Sequence, residues 1–215
     1  MGQVAWSTDR RVFGTWLSYS AKHDLPLQAG SKFRDRAKDE AGKGMVVYHA
    51  ASGEVLWQNN QSYGGPCLIH GDTIITQGVA LNLLTGRPKR RHHPLTAQAV
   101  DWTFSRNYGC NTVIGCTNLL TFRSAAAGYF DLAGDGGTGN LGGFRSSCTS
   151  NLIPADGVLN APDYTRTCTC SYQNQCSLAL VHRPQAVLAA HAGKEGREAV
   201  IIPLAPHARS GDVDI

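Results

Sequence analysis

Apolar positions along this chain come in paired short runs separated by polar turns, the pattern of hairpins and not of amphipathic helices. Four such pairs recur. They are Thr15-Trp16-Leu17-Ser18-Tyr19 with Leu25-Pro26-Leu27-Gln28, Pro66-Cys67-Leu68-Ile69-His70 with Thr73-Ile74-Ile75-Thr76, Asn111-Thr112-Val113-Ile114-Gly115 with Asn118-Leu119-Leu120-Thr121, and Ser150-Asn151-Leu152-Ile153-Pro154 with Gly157-Val158-Leu159-Asn160. The turns at His70-Gly71-Asp72 and Ala155-Asp156-Gly157 carry residues that tolerate positive φ and join strands without strain.

Aligning Leu17, Leu68, Val113 and Leu152 gives spacings of 51, 45 and 39 residues, close to the roughly 40 to 50 residues of one four-stranded propeller blade. The second half of a blade reads from Gly44-Met45-Val46-Val47-Tyr48 through the turn Ala51-Ser52-Gly53 to Val55-Leu56-Trp57. A weaker copy is Gly78-Val79-Ala80-Leu81-Asn82-Leu83 followed by Leu84-Thr85-Gly86. The spacing predicts an all-β chain: a partial β-propeller of about four blade-like, four-stranded antiparallel repeats over residues 1–182. Lys32 to Glu40 holds helix formers with alternating charge and reads as a short helical insert. Residues 183–215 lose the repeat and read as an irregular C-terminal tail, in which Ala199-Val200-Ile201-Ile202 is the one strand candidate.

Strand, Ser/Thr-Gly turn, strand and tryptophan in that order resemble the pyrroloquinoline-quinone-like propeller repeat. Arg106-Asn107-Tyr108-Gly109-Cys110-Asn111, Gly139-Asn140-Leu141-Gly142-Gly143-Phe144 and Asp163-Tyr164-Thr165-Arg166-Thr167-Cys168-Thr169-Cys170-Ser171-Tyr172-Gln173-Asn174-Gln175 are similar to a planctomycete-type family of such proteins. That family is related to the outer-membrane assembly-factor propellers. The resemblance covers about residues 5–182. It implies a periplasmic or secreted protein that binds or scaffolds an unknown protein or small-molecule ligand. The alternative it implies is a quinone-dependent oxidoreductase, or a fragment of one, using pyrroloquinoline quinone and calcium. Four blades are fewer than the family's usual six to eight, so self-association or further blades are expected to close the ring.

Composition supports the β reading, with 24 glycines and 9 prolines among 215 residues punctuating strands and breaking helices. The formal charge of +4 comes mostly from Arg87-Pro88-Lys89-Arg90-Arg91-His92-His93-Pro94. That run reads as a solvated loop, and no nucleic-acid partner is expected. No stretch approaches the ~20 apolar residues of a membrane-spanning helix, and Met1-Gly2-Gln3-Val4-Ala5-Trp6 does not read as a signal peptide.

No catalytic or metal set stands out. Gly137-Thr138-Gly139-Asn140-Leu141-Gly142 has the letters of a dinucleotide loop without the strand and helix around it. The seven cysteines include no adjacent pair of the kind a quinone-dependent dehydrogenase clamps against its cofactor. Cys168 and Cys170, two apart on a strand, lie at the edge of disulfide geometry with each other. Cys110, Cys148, Cys168 and Cys170 are therefore expected to be structural, as disulfides with other partners or as buried thiols, in preference to zinc ligands. The polar run from Asp163 to Gln175 is the preferred binding surface, since loops on a rigid scaffold carry binding. Its candidate ligand contacts are Asp163, Arg166, Tyr172 and Asn174, joined by Asn111 and Arg123. His23, His49 and His70, at turns or strand ends, need no ligand role.

Overall fold

The computed structural model describes residues 2–10, 16–30, 43–93, 95–146, 152–162 and 177–181. All regular structure among them is β, and it falls into two compact units, residues 1–105 and 106–215.

In the first unit, β1 (Trp16–Ser20), β2 (Leu25–Ala29), β3 (Lys43–Tyr48) and β4 (Val55–Ser62) form one antiparallel sheet in that spatial order. A second sheet follows from β5 (Gly64–His70), β6 (Thr73–Gln77) and β7 (Ala80–Asn82). Its fourth member is reduced to an isolated bridge, Leu81 to Pro88, flanked by Asn82 N–H to Arg87 C=O and Lys89 N–H to Ala80 C=O. These two bonds put Pro88 at a non-hydrogen-bonded position of the pair, where the ladder asks no N–H of it, as suits proline at an edge. A two-stranded hairpin, β8 (Arg90–His92) with β9 (Ala99–Asp101), comes next.

The side chains between the two larger sheets are the reason for the pairing. Leu25, Leu27, Ala29, Met45 and Val47 of the first meet Cys67, Ile74, Leu81 and Leu83 of the second in one buried cluster, with Trp57 packed against it. Each sheet dries one face of the other, as successive blades do. Tryptophan makes the join directional. The Trp57 indole on β4 donates its N–H to Leu83 C=O at 2.6 Å and lies flat on Gly86, where a Cβ would stand 2.8 Å from the ring. Trp6 repeats this three-residue register on the neighbouring turn, donating to Ala50 C=O at 2.6 Å and covering Gly53. Both glycines have positive φ, 67° at Gly86 and 73° at Gly53, so lack of a side chain serves the turn and the ring together. Trp16 on β1 likewise donates to Cys67 C=O on β5 at 2.6 Å.

The second unit repeats the plan. β10 (Ile114–Gly115), β11 (Leu119–Ser124), β12 (Ala126–Asp131) and β13 (Gly137–Asn140) form a four-stranded antiparallel sheet, and β14 (Ile153–Ala155), β15 (Val158–Ala161) and β16 (Leu178–Val181) a three-stranded one. Ala127, Leu141 and Phe144 pack with Leu152, Leu159 and Ala161 between them.

All four predicted hairpins are present, as β1–β2, β5–β6, β10–β11 and β14–β15. The chain is all-β with blade-like repeats; among the described residues two sheets have the expected four strands, two have three and one has two. The expected helical insert at 32–40 and the tail from 183 lie outside the described residues.

Candidate functional site

The second unit buries an unusual amount of polar chemistry. Asn111, Arg123, Ser124, Arg145 and Ser146 are all buried, Asn111 and Arg123 with 2% of their surface exposed. A buried polar group is tolerated only when hydrogen-bonded, and Asn111 organises the cluster accordingly. Its Oδ1 accepts the Arg123 main-chain N–H at 2.9 Å and the Arg106 Nη1 at 3.0 Å. Its Nδ2 donates to Ser146 Oγ at 2.7 Å. Arg106 Nη1 also reaches Arg123 C=O at 3.3 Å.

The β11–β12 turn holds the second guanidinium. Ser124 pairs with Ala126 across one residue, Ala125, which takes φ +61°, a region costly for a residue with a Cβ. Two hydrogen bonds fix it there: Ala125 N–H donates to Tyr108 C=O at 2.6 Å, and Ala125 C=O accepts from Arg123 Nε at 3.1 Å. The Arg123 guanidinium lies 5.1 Å from the Tyr108 ring centroid, a cation–π contact. Gly109 is obligatory beneath it, since a Cβ would fall 2.3 Å from Arg123 O. Desolvation pulls the Arg106 guanidinium below its ordinary value, partly offset by Cys110. The two guanidinium groups are thus held by different partners, Arg106 on the Asn111 carboxamide and Arg123 on the Ala125 carbonyl and the Tyr108 ring. Among the described residues no cluster of three or more His, Cys, Asp or Glu is placed to hold a metal ion.

Of the candidate ligand contacts, Asn111 and Arg123 are brought together. Asp163, Arg166, Tyr172 and Asn174 lie outside the described residues, as do Cys148, Cys168 and Cys170. Cys110 is a buried thiol, with Sγ 3.5 Å from Tyr108 Oη. Arg106, Tyr108, Arg145 and Ser146 were not singled out as site residues; the signal for the first two was the run Arg106 to Asn111, whose glycine marks a close backbone approach.

A second polar group joins two hairpin turns of the first unit. Asp72 Oδ1, in the β5–β6 turn, meets His23 Nε2 at 2.6 Å and Lys22 Nζ at 3.0 Å, both from the β1–β2 turn. The His23 and Lys22 hydrogen bonds hold the Asp72 carboxyl below its ordinary value. Beside it Tyr19 donates to Asp24 Oδ1 at 2.5 Å. This is a stitch between turns.

No family model matches the chain, and no curated protein matches it. Among solved structures, the crystal structure of BamB from Moraxella catarrhalis is similar, with a TM-score of 0.48 and 15% identity over 75% of this chain and 47% of that one. The chain thus spans about half the length of that structure.

Proposed function

We propose that this chain is a propeller-repeat protein that binds or scaffolds a partner, with no catalytic site evident in its sequence. The observation that carries the reading is the recurrent tryptophan join. Trp6 on the turn ending at Gly53 and Trp57 on the turn ending at Gly86 each have the indole N–H committed to a main-chain carbonyl and the ring face committed to a glycine. Indoles used in this way build a rigid stack, which presents its loops to a ligand at low entropic cost. The polar cluster around Asn111 is read in the same way, as a preorganised support whose guanidinium groups favour an anionic or carbonyl-bearing partner. A periplasmic or secreted location, and self-association to complete a ring, belong to this proposal.

The test is incubation of the purified chain with pyrroloquinoline quinone and calcium, followed by gel filtration, absorbance and thermal melting. The expected result is no retained chromophore and an unchanged Tm. Stoichiometric retention of the quinone with a raised Tm would replace the scaffold with the oxidoreductase.

A further inference from the structure

The β8–β9 hairpin concentrates charge in a way the propeller plan does not need. Arg87, Lys89, Arg90 and Arg91 bring four cations into five positions, and Asp101 is the only carboxylate between residues 80 and 105, so this segment carries three of the chain's net four positive charges. Arg87, Arg90 and His92 are exposed. Arg90 faces Asp101 across the pair at 3.6 Å, with 62% and 68% of their side chains exposed. An ion pair that open to water offsets little of the local field.

The apex of the same hairpin holds a leucine outward. Leu95 is 89% exposed, and the turn carrying it is tied down. His93 N–H donates to Gln98 C=O and Ala97 N–H to His93 C=O, both at 2.8 Å, while His93 Nδ1 accepts the Leu95 and Thr96 N–H groups at 3.3 Å. A single exposed leucine is ordinary. A leucine fixed at the tip of a hydrogen-bonded turn, on a hairpin with an excess of exposed cations, combines the two elements of a membrane-surface anchor: cations for anionic headgroups and an apolar tip for the acyl boundary. An acidic protein segment or a nucleic acid would answer the cations and leave the leucine in water.

We infer that the β8–β9 hairpin docks on an anionic lipid bilayer, with Leu95 entering the interface and Arg87 and Arg90 facing the headgroups. The inference is independent of the scaffold reading. Each cation near an anionic surface is worth about fivefold in partitioning, and burial of the leucine about tenfold.

The experiment is co-sedimentation of the full chain with vesicles of phosphatidylcholine alone, or of phosphatidylcholine mixed with phosphatidylglycerol. Leu95→Ser and the double variant Arg87→Ser/Arg90→Ser are run beside it, with far-ultraviolet circular dichroism confirming unchanged strand content. The parent should pellet with the anionic vesicles, leave them at high salt and ignore the neutral ones. Leu95→Ser should lose about tenfold and the double variant about fivefold for each cation removed. Equal pelleting with both compositions, pelleting with neither, or variants that bind like the parent would each overturn the inference. So would capture by polyglutamate or duplex DNA without vesicle binding.

Discussion

At the scale of single residues the second unit is governed by Asn111. Its carboxamide satisfies a main-chain N–H, a guanidinium and a hydroxyl at once, so truncation strands several buried groups. Asn111→Ala is expected to cost about 2 to 3 kcal/mol, read as a lowered urea midpoint at constant m-value. Ala125 behaves in the opposite sense. Its φ of +61° strains any residue with a Cβ, so Ala125→Gly is expected to be neutral or to stabilise by up to about 1 kcal/mol; a fall in Tm would show that the Ala125 methyl contributes more than the strain removes. In the first unit, burial pushes the Cys67 thiol from 9.0 up to about 12. The folded state therefore favours the protonated thiol, and its contribution is full below pH 9 and lost as pH rises through about 12. Iodoacetamide at mildly alkaline pH should label the partly exposed Cys116 well before Cys67.

At the scale of elements, the hairpins were legible from local chemistry alone. Asp156 and Gly157 both adopt positive φ, 49° and 72°, in the two-residue turn between Ala155 and Val158, as their residue types require. Gly71 does the same at 55°. The fourth member of the second sheet was less legible, because a proline inside a run reads as a stop, whereas the ladder bonds on either side of Pro88 are made without it. His23 illustrates what a local reading misses: nothing near residue 23 announces a carboxylate 49 residues later. That contact carries a pH dependence. Since the Asp72 carboxyl is held below 3.8, its contribution is present above that value and disappears as pH falls through the lowered one. Asp72→Asn should flatten the acid limb of a Tm-against-pH curve, and an unaltered limb would remove Asp72 from the account.

At the scale of the whole molecule, the repeat was readable because each Ser/Thr-Gly turn and each tryptophan is visible in the sequence. Which indole meets which turn was not, since the partners stand 44 and 26 residues apart and only packing brings them together. The glycines beneath the indoles are the sensitive points. Gly86→Ala places a methyl 2.8 Å from Trp57 at a φ of +67°, and is expected to cost about 2 kcal/mol or more. Gly71→Ala, at similar φ with open space around it, isolates the backbone share of that penalty. Trp57→Phe keeps a ring while removing the N–H to Leu83, and should cost about 1 kcal/mol from the lost hydrogen bond alone; chemical denaturation monitored by circular dichroism separates the three. The candidate site was legible only in part, for Asn111 and Arg123 lie in a run flagged by its resemblance and a strand flagged by its pattern, while the pairing of Arg106 with Asn111 is a product of the fold.

Among the described residues every sheet is assembled from strands that are consecutive along the chain, β1-β2-β3-β4 and β10-β11-β12-β13 among them. Such an order needs no distant segment before a ladder can close, so each sheet can zip up as its own stretch leaves the ribosome, hairpin by hairpin. The waiting time then falls on the indoles: a tryptophan such as Trp57 stays wet until the turn 26 residues behind it has been synthesised. Pausing translation inside that interval should leave a nascent chain whose strands are formed and whose tryptophan fluorescence is still quenchable by solutes.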